Sequence, residues 1–243
     1  MMKVYFGQPW GGLGDNLQFT TLPKLFSEKG VDFYISKHNT YRNPEIYEFC
    51  WAKNPYVKGI VNNIANVGAC SPDIKKGVTD NIVSAAEIRH GFSGFGRYPE
   101  IYYDAEKLGE FKYKTIVDLS AHTLLKNSVG EFYDADKLFS LVEKSIPDDA
   151  LFVTFKNVNS LSLSGGFPFE NNQLVVENIF EYANIINSAG KYFCLYSGGN
   201  SMAAAVKHKE QSDVELYCFL HGTVKEHQDK GFFIFDNVNY IEV

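Results

Sequence analysis

The feature that most constrains this chain is the alternation of short, strand-like apolar runs with stretches that read as helix. "KVYFG" (3–7), "VDFYIS" (31–36) and "VKGIV" (57–61) are separated by segments with helix start and stop signals. Strands spaced in this way need crossover connections, so the pattern predicts βαβ units and a parallel sheet. A second series begins at "KTIVDLS" (114–120). It continues through a helix over 134–146, the strand "ALFVTFK" (150–156), a helix over 174–190 and the strand "KYFCLYS" (191–197). It ends with "GGNSMAAAVKH" entering a helix, the strands "VELYCFL" (214–220) and "FFIFD" (232–236), and a terminal "YIEV". The expected fold is α/β, with two Rossmann-like domains whose parallel sheets face a cleft. An N-terminal domain covers 1–110 and a C-terminal domain 111–243, and ligands bind at the carboxyl ends of such strands.

Local signals refine this outline. A helix is expected from about Asn16 to Glu28, kinked or broken by Pro23. Asn43 is placed to cap a short helix with Pro44 in its first turn. Between Asn62 and Tyr103 the glycines at 77, 91, 94 and 96 predict long loops and one short helix near "NIVSAAEIRHGF".

Composition removes several function classes. With 45% apolar and 21% charged residues the chain is neither disordered nor fibrous. A net charge of −6, with no clustered Lys/Arg surface, argues against a general nucleic-acid binder. No run of 18 apolar residues occurs, and the expectation is a cytoplasmic protein without a membrane span. Cys50, Cys70, Cys194 and Cys218 are scattered and form no CxxC pair, so buried reduced thiols are expected. The histidines form no metal pattern, and neither a metal nor a cofactor is expected.

Two glycine-rich turns carry the candidate chemistry. In "GGLGDNLQ" (11–18), Leu17 stands where a dinucleotide fingerprint needs its third glycine, which argues against a nicotinamide cofactor. Gly12 and Gly14 still allow backbone N–H groups to approach an anion or a sugar at a helix start. Asp15 there reads either as a helix N-cap or as a carboxylate able to take a proton from a hydroxyl, and both roles are compatible. In "CLYSGGNSMAAAV" (194–206), Ser197, Gly198, Gly199, Asn200 and Ser201 lie between a strand and an Ala-rich helix. They read either as an ordinary capped turn or as an anion site suited to a diphosphate. Asp134-x-Asp136 resembles a metal-chelating pair but opens a predicted helix, where acidic residues are favoured by the dipole. Arg97, in "GFSGFGRYPEIYY", is a candidate for stacking on a sugar or pairing with an acidic acceptor. The loop "SLSLSGGFPFENNQ" (160–173) reads as a lid, a donor contact or a plain connection.

Three stretches in order carry a family resemblance. "GGLGDNLQFTTLPKLF" resembles the N-terminal signature of the family-nine, heptosyltransferase-like glycosyltransferases. "NPEIYEFCWAKNPYVKGI" is similar to their next segment, and "YSGGNSMAAAV" to their C-terminal loop. The resemblance implies a compact B-type glycosyltransferase fold with the acceptor on the first domain and a nucleotide sugar on the second. It implies Asp15 as the base, and Lys156, Ser197, Gly198, Gly199, Asn200 and Ser201 as donor contacts. The acceptor-side or loop set is Gly12, Gly14, Asn16, Gln18 and Arg97. Tyr196 and Ser201 stand where the family usually has Asp and His, and the chain is short for a member.

The resulting expectation is a metal-independent, inverting transfer of a sugar from a nucleotide-sugar donor to a hydroxyl of a carbohydrate acceptor, a glycan or a lipopolysaccharide-like molecule. A homo-oligomer is possible. The alternatives are a non-catalytic nucleotide-sugar-binding protein and a nucleotide-sugar epimerase on the same fold.

Overall fold

The computed structural model describes residues 2–68, 81–121, 135–156, 161–162, 172–229 and 233–243. The first half contains a parallel sheet of β1 (Met2–Phe6), β2 (Val31–Ser36) and β3 (Val57–Val61), in that order. On the other edge of β1, Phe6 makes a parallel bridge to Val67. The chain therefore steps from β1 to one side through β2 and β3 and then returns to the other side. That reversal leaves the carboxyl end of β1, and the glycine turn after it, at a switch point.

The second half is a six-stranded parallel sheet. Its strands are β4 (Thr115–Asp118), β6 (Leu151–Phe155), β8 (Gln173–Val176), β9 (Lys191–Leu195), β10 (Glu215–Leu220) and β11 (Asn239–Glu242). In space they run β11-β10-β9-β4-β6-β8. The short β5 (Ser120–Ala121) and β7 (Leu161–Ser162) pair antiparallel to one another outside this sheet. From β4 the chain winds outward through β6 and β8, then restarts beside β4 with β9. The crevice of this doubly wound order lies between the carboxyl ends of β4 and β9. The central strands read as continuous apolar runs because helices cover both faces. The helix α5 (Ala135–Ser145) brings Leu138 and Val142 onto one face, against Val117, Phe152, Phe193 and Phe219. The helices α6 (Ile179–Ser188) and α7 (Gly198–Glu210) cover the other.

The face covered by α6 and α7 also packs on the first half. One apolar cluster runs from Val4, Phe6, Phe33 and Trp51 through Tyr182, Ile186, Met202 and Ala204 to Leu216 and Val238. Residues 103–108 run along α6 and α7 as a strap. Lys209 Nζ donates to Tyr103 O at 2.7 Å, Ala105 N to Glu210 Oε1 at 3.1 Å, and Leu108 N to Ser188 Oγ at 2.7 Å. Asn187 Nδ2 donates back to Ala105 O at 2.7 Å.

Several local expectations are met and several are replaced. The segment expected as one helix from 16 to 28 is two, α1 (Leu13–Leu17) and α2 (Leu22–Glu28), with Pro23 in the first turn of the second. There the missing N–H leaves no helical bond unmade. Asn43 caps α3 (Pro44–Tyr47), its Oδ1 accepting from Glu45 N at 2.9 Å, and a π-helical turn over Glu48–Ala52 follows. The short helix expected near 81–92 is α4 (Ile82–Arg89), capped by Asn81. Residues 173–176 belong to β8 and not to the following helix, because Phe152–Phe155 offer them a full parallel ladder. The helix itself begins after Asn178, whose Oδ1 accepts from Phe180 N and Glu181 N. Residues 233–236 are not a strand. Phe233 N donates to the Tyr196 hydroxyl and Phe235 N to the Tyr240 hydroxyl, so two phenols replace a ladder, and 239–242 take the edge as β11.

Candidate functional site

The first glycine turn is built from the inside outward. Asn16 is fully buried, and its side chain holds the turn to its surroundings. Nδ2 donates to Gly12 O at 2.9 Å, while Oδ1 accepts from Trp51 Nε1 at 3.1 Å and from Asn39 Nδ2 at 3.3 Å. Gln18, 9% exposed, donates to Asp15 O at 3.0 Å. Both side chains hydrogen-bond within the loop and its surroundings, the loop half of the acceptor-side or loop expectation. Asp15 is not the N-cap. Gly12 is, and Asp15 stands at the third helical position with Oδ2 accepting from Gly12 N at 3.0 Å. Burial pushes the Asp15 carboxyl above the usual range, against the Gly12 N–H and the nearby positive Arg42. A carboxyl moved toward neutrality is better matched to proton abstraction than an ordinary exposed one.

The second glycine turn follows β9. Ser197 caps α7, its Oγ accepting from Gly199 N at 3.2 Å, which fulfils the plain capping role. Asn200 is buried and donates from Nδ2 to Phe233 O at 2.9 Å, tying α7 to the 233–236 segment. Ser201 is fully buried, and its Oγ meets no hydrogen-bond partner among the described residues. The run Met202–Val206 is buried throughout, and its small side chains let α7 lie close to the sheet.

The two turns meet at their glycines. A Cβ added at Gly198 would fall 2.9 Å from Gly14 N and 3.2 Å from Leu13 Cβ, and one added at Gly14 would fall 3.3 Å from Gly198 Cα. A side chain at Gly198 would force the backbone of α1 away from α7. The close approach brings Asp15, next to Gly14, and Ser197, next to Gly198, into one neighbourhood at the carboxyl ends of β1 and β9.

Beneath this junction lies a group that the sequence reading passed over. Asp118, 2% exposed, ends β4 at the switch point. Its Oδ1 accepts from Ser120 N at 2.9 Å and from the Ser120 hydroxyl, and its Oδ2 accepts from the hydroxyls of Tyr182 and, at 3.5 Å, Tyr192. A Cβ at Gly199 would lie 2.9 Å from the Tyr182 hydroxyl and 3.0 Å from Asp118 Oδ2. Burial raises the Asp118 carboxyl above its ordinary value, and the hydrogen bonds from Ser120 and the tyrosines oppose that. An acidic residue closing the apolar run "KTIVD" was the available signal. Arg42 was also passed over. A Cβ at Gly12 would sit 2.6 Å from Asp15 Oδ2 and 3.5 Å from Arg42 Nη1, so guanidinium and carboxylate flank the same glycine.

The remaining candidates sit on other features. Lys156 follows β6 at the same edge of the sheet, two strands from β9, or roughly 10 Å at ordinary strand spacing. Its ammonium is paired with Glu177 at 2.7 Å. Arg97 lines a small cavity of about 60 Å³ with Asn81, Gln228, Ile234 and Asp236. A shallower groove of about 450 Å³ is lined by Glu48, Ala52, Lys53, Tyr103 and Phe180. Asp136 is in the first turn of α5, whereas Asp134, most of the 160–173 loop and Cys70 lie outside the described residues. Cys50, Cys194 and Cys218 are buried free thiols. Among the described residues no group of three His, Cys, Asp or Glu side chains is arranged to hold a metal, and no helix is long and apolar enough to cross a membrane.

No family model matches the chain, and no curated protein matches it. Solved structures do. The bacterial iron-containing dodecameric glycosyltransferase TibC from enterotoxigenic E. coli H10407 superposes with a TM-score of 0.60 at 11% identity, covering 100% of this chain and 63% of that one. The dodecameric iron-containing heptosyltransferase TibC in complex with ADP-D-beta-D-heptose superposes at 0.57 with 12% identity, covering 90% of this chain and 57% of that one. This chain thus spans about three-fifths of the length of those structures. At such identity the likeness establishes that the chain shares the α/β fold of those structures and leaves the resemblance to family nine resting on the three sequence stretches.

Proposed function

We infer that this chain is a glycosyltransferase that moves a sugar from a nucleoside diphosphate sugar to a hydroxyl acceptor with inversion. The observation that carries the reading is the Gly14–Gly198 approach, which sets a partly buried carboxylate beside a serine-capped helix start at the carboxyl ends of two parallel sheets. In this scheme Asp15 takes the proton of an acceptor hydroxyl as its oxygen attacks the anomeric carbon. The bond from that carbon to the diphosphate breaks, and the diphosphate leaves with the electron pair. Backbone N–H groups of Ser197–Gly199 and the first turn of α7 receive the growing charge, with Lys156 drawn from Glu177 as a further cation and no metal required. Arg97 and its cavity are assigned to the acceptor. TibC was solved with ADP-D-beta-D-heptose, so ADP-linked sugars are the first donors to test, and a homo-oligomer is the first assembly state to look for.

The test is donor turnover across a panel of nucleotide sugars for the wild type and Asp15→Asn. Loss of a positioned base lowers the rate by about 10²- to 10⁴-fold while donor affinity persists. Full activity in a folded Asp15→Asn variant removes the mechanism. One feature favours a second reading as a nucleotide-sugar-binding protein without turnover. Gly14 and Gly198 are in backbone contact, and neither of the two cavities described above is lined by Asp15 or Ser197. Saturable binding with no turnover of any donor selects that reading.

A further inference from the structure

The buried group at the end of β4 has no part in the scheme above, yet it lies directly under the turn assigned to the donor. Asp118 is enclosed by four elements. From α6 comes the Tyr182 phenol, from β9 the Tyr192 phenol and the Cys194 thiol, from the chain after β4 the Ser120 N–H and hydroxyl, and from α7 only the Gly199 backbone. Burial raises both phenols and the thiol above their ordinary values, so all three are neutral, and Asp118, also raised by burial, is the carboxylic acid of the cluster. No cationic side chain among the described residues touches it. The compensation available to an ionised Asp118 is the set of hydroxyl and N–H bonds together with the positive end of α7, which is also what an anion above Gly198 and Gly199 would use. On the same helix the Ser201 hydroxyl is fully buried and meets no hydrogen-bond partner among the described residues.

Resting on the donor-site reading, we propose that Asp118 is a proton-linked positioning residue for the donor diphosphate. Diphosphate and Asp118 carboxylate occupy opposite sides of the same helix start across Gly199. Two negative charges cannot both be well compensated there, so the donor binds to the form in which Asp118 has taken a proton from solvent. The Tyr182–Tyr192 pair holds the protonated carboxyl in place, and Gly199 is glycine because those hydroxyls and the carboxyl fill the volume of a Cβ. Donor affinity is then highest where Asp118 is protonated and falls as pH rises through its titration.

The experiment uses ADP-glucose and UDP-glucose, whose diphosphates do not titrate in the relevant range. Their binding to the full chain is measured by calorimetry from about pH 5 to about pH 8 in two buffers of different ionisation enthalpy. The expected result is net proton uptake on binding and an affinity that drops about tenfold or more over that span, the size expected for two charges meeting across one glycine at a partly buried site. Asp118→Asn abolishes both effects and binds at every pH. An unchanged pH slope in a folded Asp118→Asn variant overturns the proposal and leaves the donor site standing. No binding of either probe to the wild type at any pH overturns the donor-site reading and this inference with it. Should Asp118→Asn fail to fold, Tyr182→Phe removes one bond to the carboxylate and moves the binding midpoint to higher pH. A midpoint that stays put overturns the proposal.

Discussion

The contact between the two glycine turns makes a prediction that needs no knowledge of substrate. In Gly198→Ala the new methyl lies 2.9 Å from Gly14 N, so backbone must shift. Overpacking of this kind costs about 1–3 kcal/mol, and the gain in helix propensity returns up to about 1 kcal/mol, leaving a net loss of about 1–2 kcal/mol. For a chain of this size that lowers Tm by about 2–8 °C. Gly14→Ala is milder, since its methyl meets Gly198 Cα at 3.3 Å, and should be close to neutral once propensity is counted. The double variant must find room for two methyls where none fits, so its loss exceeds the sum of the single losses by about 0.5–3 kcal/mol. Gly109→Ala, with nothing within 4 Å of its added Cβ, is the control and should stay within about 0.5 kcal/mol of wild type. Urea unfolding of the four proteins, with calorimetric Tm values, measures all of this. Additive behaviour, or a Gly198→Ala variant as stable as Gly109→Ala, would refute the close approach and with it the shared neighbourhood of Asp15 and Ser197.

Other expectations are simpler. Asn16→Ala strands the Trp51 indole N–H and the Asn39 amide in a buried site, and should lower stability by about 2–4 kcal/mol; a change under about 1 kcal/mol in urea unfolding would show that the node is dispensable. Lys156→Ala breaks an ion pair more than half exposed at both ends, so unfolding should move by less than about 1 kcal/mol, and a clear fall in donor affinity from the same variant would support its assignment to the diphosphate. Burial raises Asp118 in the folded chain, so its proton is held more tightly there than in the unfolded chain. That stabilisation is complete below the ordinary aspartate value and is lost as pH rises through the raised one. The wild type should therefore lose more Tm than Asp118→Asn over that rise, and parallel Tm curves would contradict it.

What the sequence made legible was whatever short-range chemistry decides. Asn43, Asn81 and Asn178 cap their helices through contacts two or three residues away. What it hid depends on distant partners. "QLVV" becomes a strand because β6 offers it an edge, and Phe233 joins no ladder because the hydroxyl of Tyr196, 37 residues away, holds its N–H. Asn16 read only as an acceptor-side or loop residue because its tie to Trp51, 35 residues on, has no local signature. The glycines were visible as glycines. That each meets a particular backbone or buried side chain was not, and neither was Asp118, whose tyrosine partners lie 64 and 74 residues away.

The strap over 103–108 bears on how the two halves move. A free linker would let them swing apart and would offer a protease an easy cut, whereas this one carries backbone and side-chain bonds to both α6 and α7. A scissile bond beside Lys107 is reached only after those bonds are released together, so the cleavage rate there should follow unfolding of the body and not wagging of a hinge. Separating the two halves then requires all of those bonds to be released.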